Sequence, residues 1–472
     1  MVNRFLVEKI RENFPFMPTN DQSFALEKIA EFLFSTDRDL IFLLKGYAGT
    51  GKSSLIGSLV KTMTSFKQKT VLLAPTGRAA KVFSGYAAHP AFTIHKKIYR
   101  QSKQGGEGSF SLTDNLHKHT LFIIDEASMI SNDAGEFSIF GSGRLLDDLI
   151  EYVYSGEGCR MLLIGDTAQL PPVKQENSPA LDENVLRSYF LQVVEATLTE
   201  IVRQAEESGI LTNATMLRNM LRNNATTDYP KLQADIFLDI KRISGTELIE
   251  EISDAYRRNG IEETIVISRS NKRVNAYNTG IRNTVLYREE ELTKGDLLMI
   301  TKNNYFWVEN FENFDFLANG EFVEVNRVRG EEEMYGFRFC NVLLYHRDYD
   351  IEFEAKILLD VLHSESSGLT YEQNERFFAA VMEDYLDIGN KREQYKAMKK
   401  NPYFNALQVK YGYAVTCHKA QGGEWANVFL DLGYVDKSYM SEGFYRWLYT
   451  AVTRCSKMLY LVNLPQDFVG KE

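Results

Sequence analysis

At 472 residues the chain is too long for one hydrophobic core, so about three domains are expected. It is 44% hydrophobic and 25% charged, with 10 prolines and no low-complexity tract, which excludes the disordered and fibrous classes. A net charge of −10 argues against a protein that coats nucleic acid electrostatically, but leaves room for an enzyme with one basic groove.

The opening MVNRFLVEKIREN scatters its charges, so no signal peptide is expected, and no apolar run reaches bilayer-spanning length. Cys159, Cys340, Cys417 and Cys455 are dispersed with no C-x-x-C pair. They read as buried reduced thiols of a cytoplasmic protein rather than zinc or iron–sulfur ligands. The Thr-Asn-Asp-Gln run at 19–22 suits a helix N-cap.

Residues 39–45 form an apolar run that reads as a buried strand, and 52–64 carry helical periodicity. Between them, 46–53 read GYAGTGKS, which satisfies G-x-x-x-x-G-K-[ST]. Gly46, Gly49 and Gly51 are expected to permit the φ values that turn successive amides inward, onto a positive helix N-terminus. Ala48, Thr50 and Ser54 complete the cradle. Lys52 supplies a point charge for the β- and γ-phosphates, and Ser53 a hydroxyl for Mg²⁺. A nucleoside triphosphate is the implied ligand.

Further strands are predicted at 71–74, 121–124 and 160–164, alternating with helical or loop stretches, as in a parallel sheet covered on both faces. Basic clusters stand at Arg78 and Lys81, at His95, Lys96, Lys97 and Arg100, and through 391–400. Such runs ordinarily mark a solvated face. Residues 96–119 contain the polar apex SKQGGEGS between Tyr99 and Phe110, which suits a protruding hairpin. The 121–124 strand ends in adjacent carboxylates. Asp125 is placed to hold Mg²⁺ through water, and Glu126 to orient and deprotonate an attacking water. The 160–164 strand leads into Asp166 and Gln169, polar groups expected near the γ-phosphate.

A second α/β set is predicted: a strand at 264–268, a helix at 271–285, a strand at 427–433, a helix at 444–453 and a strand at 457–463. It is split by residues 285–404, whose short alternating segments read as a small antiparallel barrel followed by helices at 371–386 and 390–400.

GYAGTGKS, APTGRAAK, TIHKKIY, IIDEAS, GDTAQLPPV, LTEIVRQ, VTCHKAQGGEW and LYTAVTR stand in the order and spacing of superfamily 1 DNA helicases. The chain most resembles the 5′→3′ branch, the RecD-like and phage Dda-like enzymes, over about 18–463. The resemblance implies an α/β fold of two RecA-like domains. The first spans 1–197 with a wedge hairpin at about 96–119, and the second spans 198–284 and 405–472. An Src-homology-3-like barrel with helices, 285–404, is inserted in the second.

The resemblance assigns Gln22 to adenine, Glu424 to ribose, and Arg203 and Arg454 to the γ-phosphate. It assigns Thr76, Arg78, Thr93, His95, Asn271, Lys272, Thr416, His418 and Lys419 to single-stranded DNA, with Phe92, Tyr99 and Trp425 as candidate stacking platforms. ATP and Mg²⁺ are the expected cofactors. Single-stranded and forked DNA are the expected partners, with replication or repair proteins, no membrane, and a monomer in the cytoplasm at the nucleoid. Three alternatives stand beside an unwinding DNA motor: an RNA-directed helicase, a strand-clamping ATPase switch, and a helicase subunit of a nuclease complex.

Overall fold

The computed structural model describes residues 2–470 except 102–109, 135–139, 203–206, 235, 310, 312–313 and 315. Arg203 and the polar hairpin apex therefore lie outside the described residues.

Two parallel sheets organise the chain. The first runs in the order Ala91–Thr93, Thr70–Ala74, Leu121–Ile124, Arg160–Gly165, Leu40–Gly46, Gln192–Leu198. The second runs Ala414–Thr416, Thr264–Ser268, Trp425–Asp431, Cys455–Val462, Ile240–Ile243. The central strands are near-continuous apolar runs because helices cover both faces: Leu121–Ile124 and Trp425–Asp431 are buried at every position. The predicted strands and helices of both sets are present. The predicted 271–285 helix is α-helical only over Asn271–Gly280 and widens to a π turn over Ile281–Val285, where Arg282 turns inward onto buried Asp296.

In sequence, between Thr264–Ser268 and its hydrogen-bonded neighbour Ala414–Thr416, the chain forms an antiparallel sheet in the order Ile351–Leu358, Phe337–His346, Phe322–Met334, Leu297–Ile300, Val409–Tyr411. Its last strand lies beyond residue 404, so the inserted sheet draws on chain that the sequence pattern leaves with the second α/β set. Helices Tyr371–Glu383 and Lys391–Lys399 follow, packing Phe377, Val381 and Met398 on Phe337 and Phe339. The hydrophobic core of this sheet is continuous with one face of the second parallel sheet, through Leu298, Val323 and Val342 to Val266, Phe429 and Tyr460. In the first α/β set, Tyr99–Gln101 pairs antiparallel with Phe110–Leu112, as the hairpin pattern predicts. Phe110 rests against Tyr305 and Phe316 of the insert.

Candidate nucleotide site and strand-binding edge

The phosphate loop joins Leu40–Gly46 to helix Lys52–Ser65. Gly49 and Gly51 hold φ of 75° and 78°, the left-handed region where glycine carries no Cβ penalty. Gly46 does not adopt positive φ, contrary to expectation. It is required by close approach instead, since a Cβ there would meet Lys52 Cγ at 2.9 Å. Lys52 Nζ donates to Gly46 O at 2.8 Å and Tyr47 O at 2.9 Å, curling back over the loop. Thr50 is buried while Ser53 is exposed at the helix start, so its hydroxyl is accessible beside the amides. Ser54 is half-buried one residue further on.

Gln22 lies beneath this loop, fully buried. Its Oε1 accepts from Thr19 N, its own amide donates to Thr19 Oγ1, and its Nε2 donates to Thr50 O at 2.9 Å. This is a capping box on helix Asn20–Phe34. Gln22 thus braces the loop in this state, with one N–H and one lone pair of its amide already used on protein.

Asp125 ends strand Leu121–Ile124. One oxygen accepts from Tyr86 Oη at 2.6 Å and the other from Glu126 N at 2.8 Å. Burial, with Glu126 adjacent, raises its pKa to about 6. Glu126 takes φ 51°, a left-handed conformation that costs on the order of 1–3 kcal/mol for a non-glycine residue and aims the carboxylate across the cleft. There it meets Arg454 Nη1 at 3.6 Å. Gln169, with its amide oriented to satisfy both neighbours, donates to Glu126 Oε2 at 3.3 Å and accepts from Arg454 Nη2 at 3.2 Å. Arg454 is 5% exposed and also donates to Gly423 O and Thr450 O. Three predicted residues from two parallel-sheet units thus meet at one point. Glu424 is exposed beside this cluster, and no described hydrogen bond engages its side chain.

The second α/β set contributes more than the arginine. Helix Glu442–Val452 lies over Asp166–Leu170: Arg446 donates to Thr167 O, and Leu170 N donates to Thr450 Oγ1. From the neighbouring turn, Gln421 donates to Leu170 O. Tyr449 Oη donates to Asp166 Oδ2 at 2.6 Å and accepts from Ala48 N at 2.9 Å. Arg218, on helix Gly209–Arg222, stacks on the Tyr47 ring at 4.6 Å. Sequence reading missed Tyr449, Thr450, Gln421, Tyr86 and Arg218. Tyr449 and Thr450 lie inside LYTAVTR, so the motif was available, but not the partners it meets across the cleft.

The residues predicted to contact a strand gather along the carboxyl edges of both parallel sheets. Ala74 pairs with Thr93 and Ser268 with Thr416, which sets Thr76 beside Thr93, and Asn271 and Lys272 near His418 and Lys419. Asn271, Lys272 and His418 are exposed. Thr76 and Thr93 cap helices Gly77–Ala87 and Ile94–Ile98, accepting from Ala79 N and Lys96 N, and Thr93 is buried there rather than open to a strand, contrary to expectation. A Cβ on Gly422 would stand 3.2 Å from Thr76 Oγ1, so the two edges are contiguous. Lys419 donates to Asn319 of the insert, and burial lowers its pKa.

Three further expectations for this edge need correction. Arg78 does not point free: its guanidinium lies 3.9 Å over the Trp425 ring and donates to Glu424 O, a contact between the two parallel-sheet units. Stacking of this kind is worth about 0.5–2 kcal/mol. His95 is half-buried against Phe140 and Tyr99, and burial lowers its pKa to about 4, so at neutral pH it is an uncharged ring. Tyr99 and Trp425 are 3% and 2% exposed and serve the core, which leaves Phe92, 43% exposed, as the available platform. The four cysteines are buried.

The fold and the cleft define a phosphate-loop protein built of two parallel-sheet domains, with a loop on one and an arginine on the other. Residues 19–231 match the family model described as an AAA domain, and 411–462 match that of the UvrD-like helicase C-terminal domain. Among curated relatives, the chain is 24% identical to the RecBCD enzyme subunit RecD of Buchnera aphidicola, over 94% of this chain and 73% of that protein. It is 25% identical to the ATP-dependent RecD2 DNA helicase of Deinococcus radiodurans (88% and 46%) and 23% identical to the ATP-dependent DNA helicase Pif1 of Campylobacter jejuni (87% and 85%). The share covered varies, and is 38% for an uncharacterized protein of Methanocaldococcus jannaschii that is 24% identical over 93% of this chain. A solved Pif1 helicase from Bacteroides in complex with ADP-AlF3 and ssDNA superposes with a TM-score of 0.46 at 15% identity, over 97% of this chain and 95% of that one. These matches support the RecD/Pif1-like group of superfamily 1 helicases as the family of this chain. Among the described residues no helix is long and apolar enough to cross a membrane.

Proposed function

We propose that this chain hydrolyses ATP in the cleft between its two RecA-like domains and uses the cycle to move 5′→3′ along single-stranded DNA, separating duplex ahead of it. The observation that carries this reading is the meeting of Glu126, Gln169 and Arg454, a carboxylate and an amide of one domain against a buried guanidinium of the other. The relatives' names, RecD2 DNA helicase and Pif1 DNA helicase, support the substrate, and the family resemblance supports the polarity.

The loop amides and Lys52 bind and neutralise the phosphates. Glu126 orients water and accepts its proton. Gln169 holds Glu126 and Arg454 in register, and Arg454 stabilises the charge of the transferring phosphoryl group, so hydrolysis depends on the cleft being closed. Ser53 and Asp125 are the residues suited to Mg²⁺, which when bound would supply positive charge at the β- and γ-phosphate oxygens. Thr76, Thr416, His418, Asn271 and Lys272 grip phosphates along the shared edge, and alternating tightness of the two grips ratchets the strand. The hairpin of residues 96–119 is the wedge, and the inserted sheet, an Src-homology-3-like barrel, braces it. Replication or repair is the setting that fits such a motor, acting as a monomer.

The test is ATP-dependent separation of a duplex carrying a 5′ or a 3′ single-stranded tail, with Lys52→Ala as control. Opening from the 5′ tail alone is expected. Opening from the 3′ tail alone would overturn the polarity. No opening from either would overturn unwinding.

A further inference from the structure

Helix Glu442–Val452 reaches across the cleft, and three of its side chains bond the segment after strand Arg160–Gly165. Arg446 and Thr450 touch only that segment's backbone. Tyr449 differs, because its hydroxyl also reaches the phosphate loop. The ring is 1% exposed, and its single proton goes to Asp166 Oδ2 while a lone pair takes the Ala48 N–H. The other oxygen of Asp166 accepts from Ala168 N at 2.9 Å, so the carboxylate is locked from both sides. One hydroxyl therefore ties together the loop, the Asp166–Gln169 turn, and the helix that leads into Arg454.

We propose that Tyr449 is a positioning residue for hydrolysis, its hydroxyl setting Asp166 and the phosphate loop in register with the helix that delivers Arg454. This rests on the proposed ATP hydrolysis. Tyr449 does not touch the phosphates in this role; it acts through Asp166 and Ala48 N. A competing account is that a buried phenol simply finds the partners that burial demands. That account predicts lost stability with unchanged chemistry.

The two separate in steady-state kinetics of the full chain with single-stranded DNA present. Tyr449→Phe keeps the ring and removes both bonds. DNA-stimulated kcat is expected to fall at least about tenfold, while KM for ATP and Kd for ADP stay within about twofold, because Lys52 and Ser53 are untouched. Asp166→Ala attacks the same bond from the other side, and Tyr449→Phe added to it should lower kcat no further than about threefold. The proposal is overturned by a kcat within twofold of the parent, by a rise in KM and in Kd for ADP with kcat unchanged, or by losses that multiply in the double variant. Failure of the underlying reading is distinguishable: the parent protein itself would then show no DNA-stimulated hydrolysis.

Discussion

The two walls of the cleft are built in different ways. The loop wall is a single run of chain, 46–53, whose conformation follows from two positive-φ glycines, a close approach at Gly46 and one lysine. The facing wall collects Gln421, Arg446, Tyr449, Thr450 and Arg454 from a turn and a helix, and these converge on Asp166–Leu170 of the other domain. A local wall can assemble as soon as its strand and helix pack. A remote wall exists only when two domains are docked, which makes it suited to reporting whether the cleft is closed.

Substitutions on the two walls should therefore fail differently. Lys52→Ala, on the loop wall, should remove both nucleotide binding and turnover; binding of a labelled ATP analogue that survives unchanged would break the contrast. Glu126→Gln should stop hydrolysis while leaving ATP and DNA affinity near the parent's, and retained turnover would take Glu126 out of its role. Arg454→Ala, on the remote wall, should slow hydrolysis by about 10³-fold with ATP binding preserved. A matching rise in the Kd for ATP would mean that the remote wall binds rather than senses. Away from both walls, shortening residues 103–108 should spare DNA-stimulated ATP hydrolysis and reduce strand separation. Unwinding at the parent's rate would move the wedge elsewhere.

The smallest effect is one of stability. Burial raises Asp125 from its ordinary 3.8 to about 6, so the folded protein holds this proton more tightly than the unfolded chain does. Between about pH 4 and 6 the folded state gains stability as pH falls, and the gain is lost as pH rises through about 6. The ceiling, for a shift of about two units, is about 3 kcal/mol. Asp125→Asn, free of nucleotide and metal, should thus melt no lower than the parent at pH 7.5, with its advantage gone near pH 4.5. A lower Tm at pH 7.5 would show that the bonds from Tyr86 and Glu126 N outweigh desolvation.

What was legible in the sequence follows from how far apart the interacting residues lie. The parallel strands, the phosphate loop, the adjacent carboxylates and the hairpin are patterns within a few residues of one another, and each reads directly. Arg454 was reachable through resemblance. Tyr449 was not, because nothing in LYTAVTR says that its hydroxyl meets Ala48, 401 residues away. Gln22 and Arg78 point the other way. Each carries a side chain suited to a ligand, and each is spent in this state on protein, Gln22 under the loop and Arg78 against Trp425. Periodicity and motif report what a side chain can do and not what already occupies it. Strand Val409–Tyr411 was invisible because three residues carry too little alternation to assign them to one sheet over another.

That strand has a mechanical consequence. The inserted sheet ends at Tyr411, and only Gly412 and Tyr413 separate it from Ala414–Thr416 of the second parallel sheet. Tyr413 is clamped from both ends, its backbone N donating to Asn278 Oδ1 and its hydroxyl bonding Asp296 and Arg288. With the two cores also continuous, the connection at residues 412–413 offers the insert no hinge. The insert is tied to the second domain through its core and through this short connection, so a rotation of that domain at the nucleotide would carry the sheet with it, and the displacement would grow with distance from the axis.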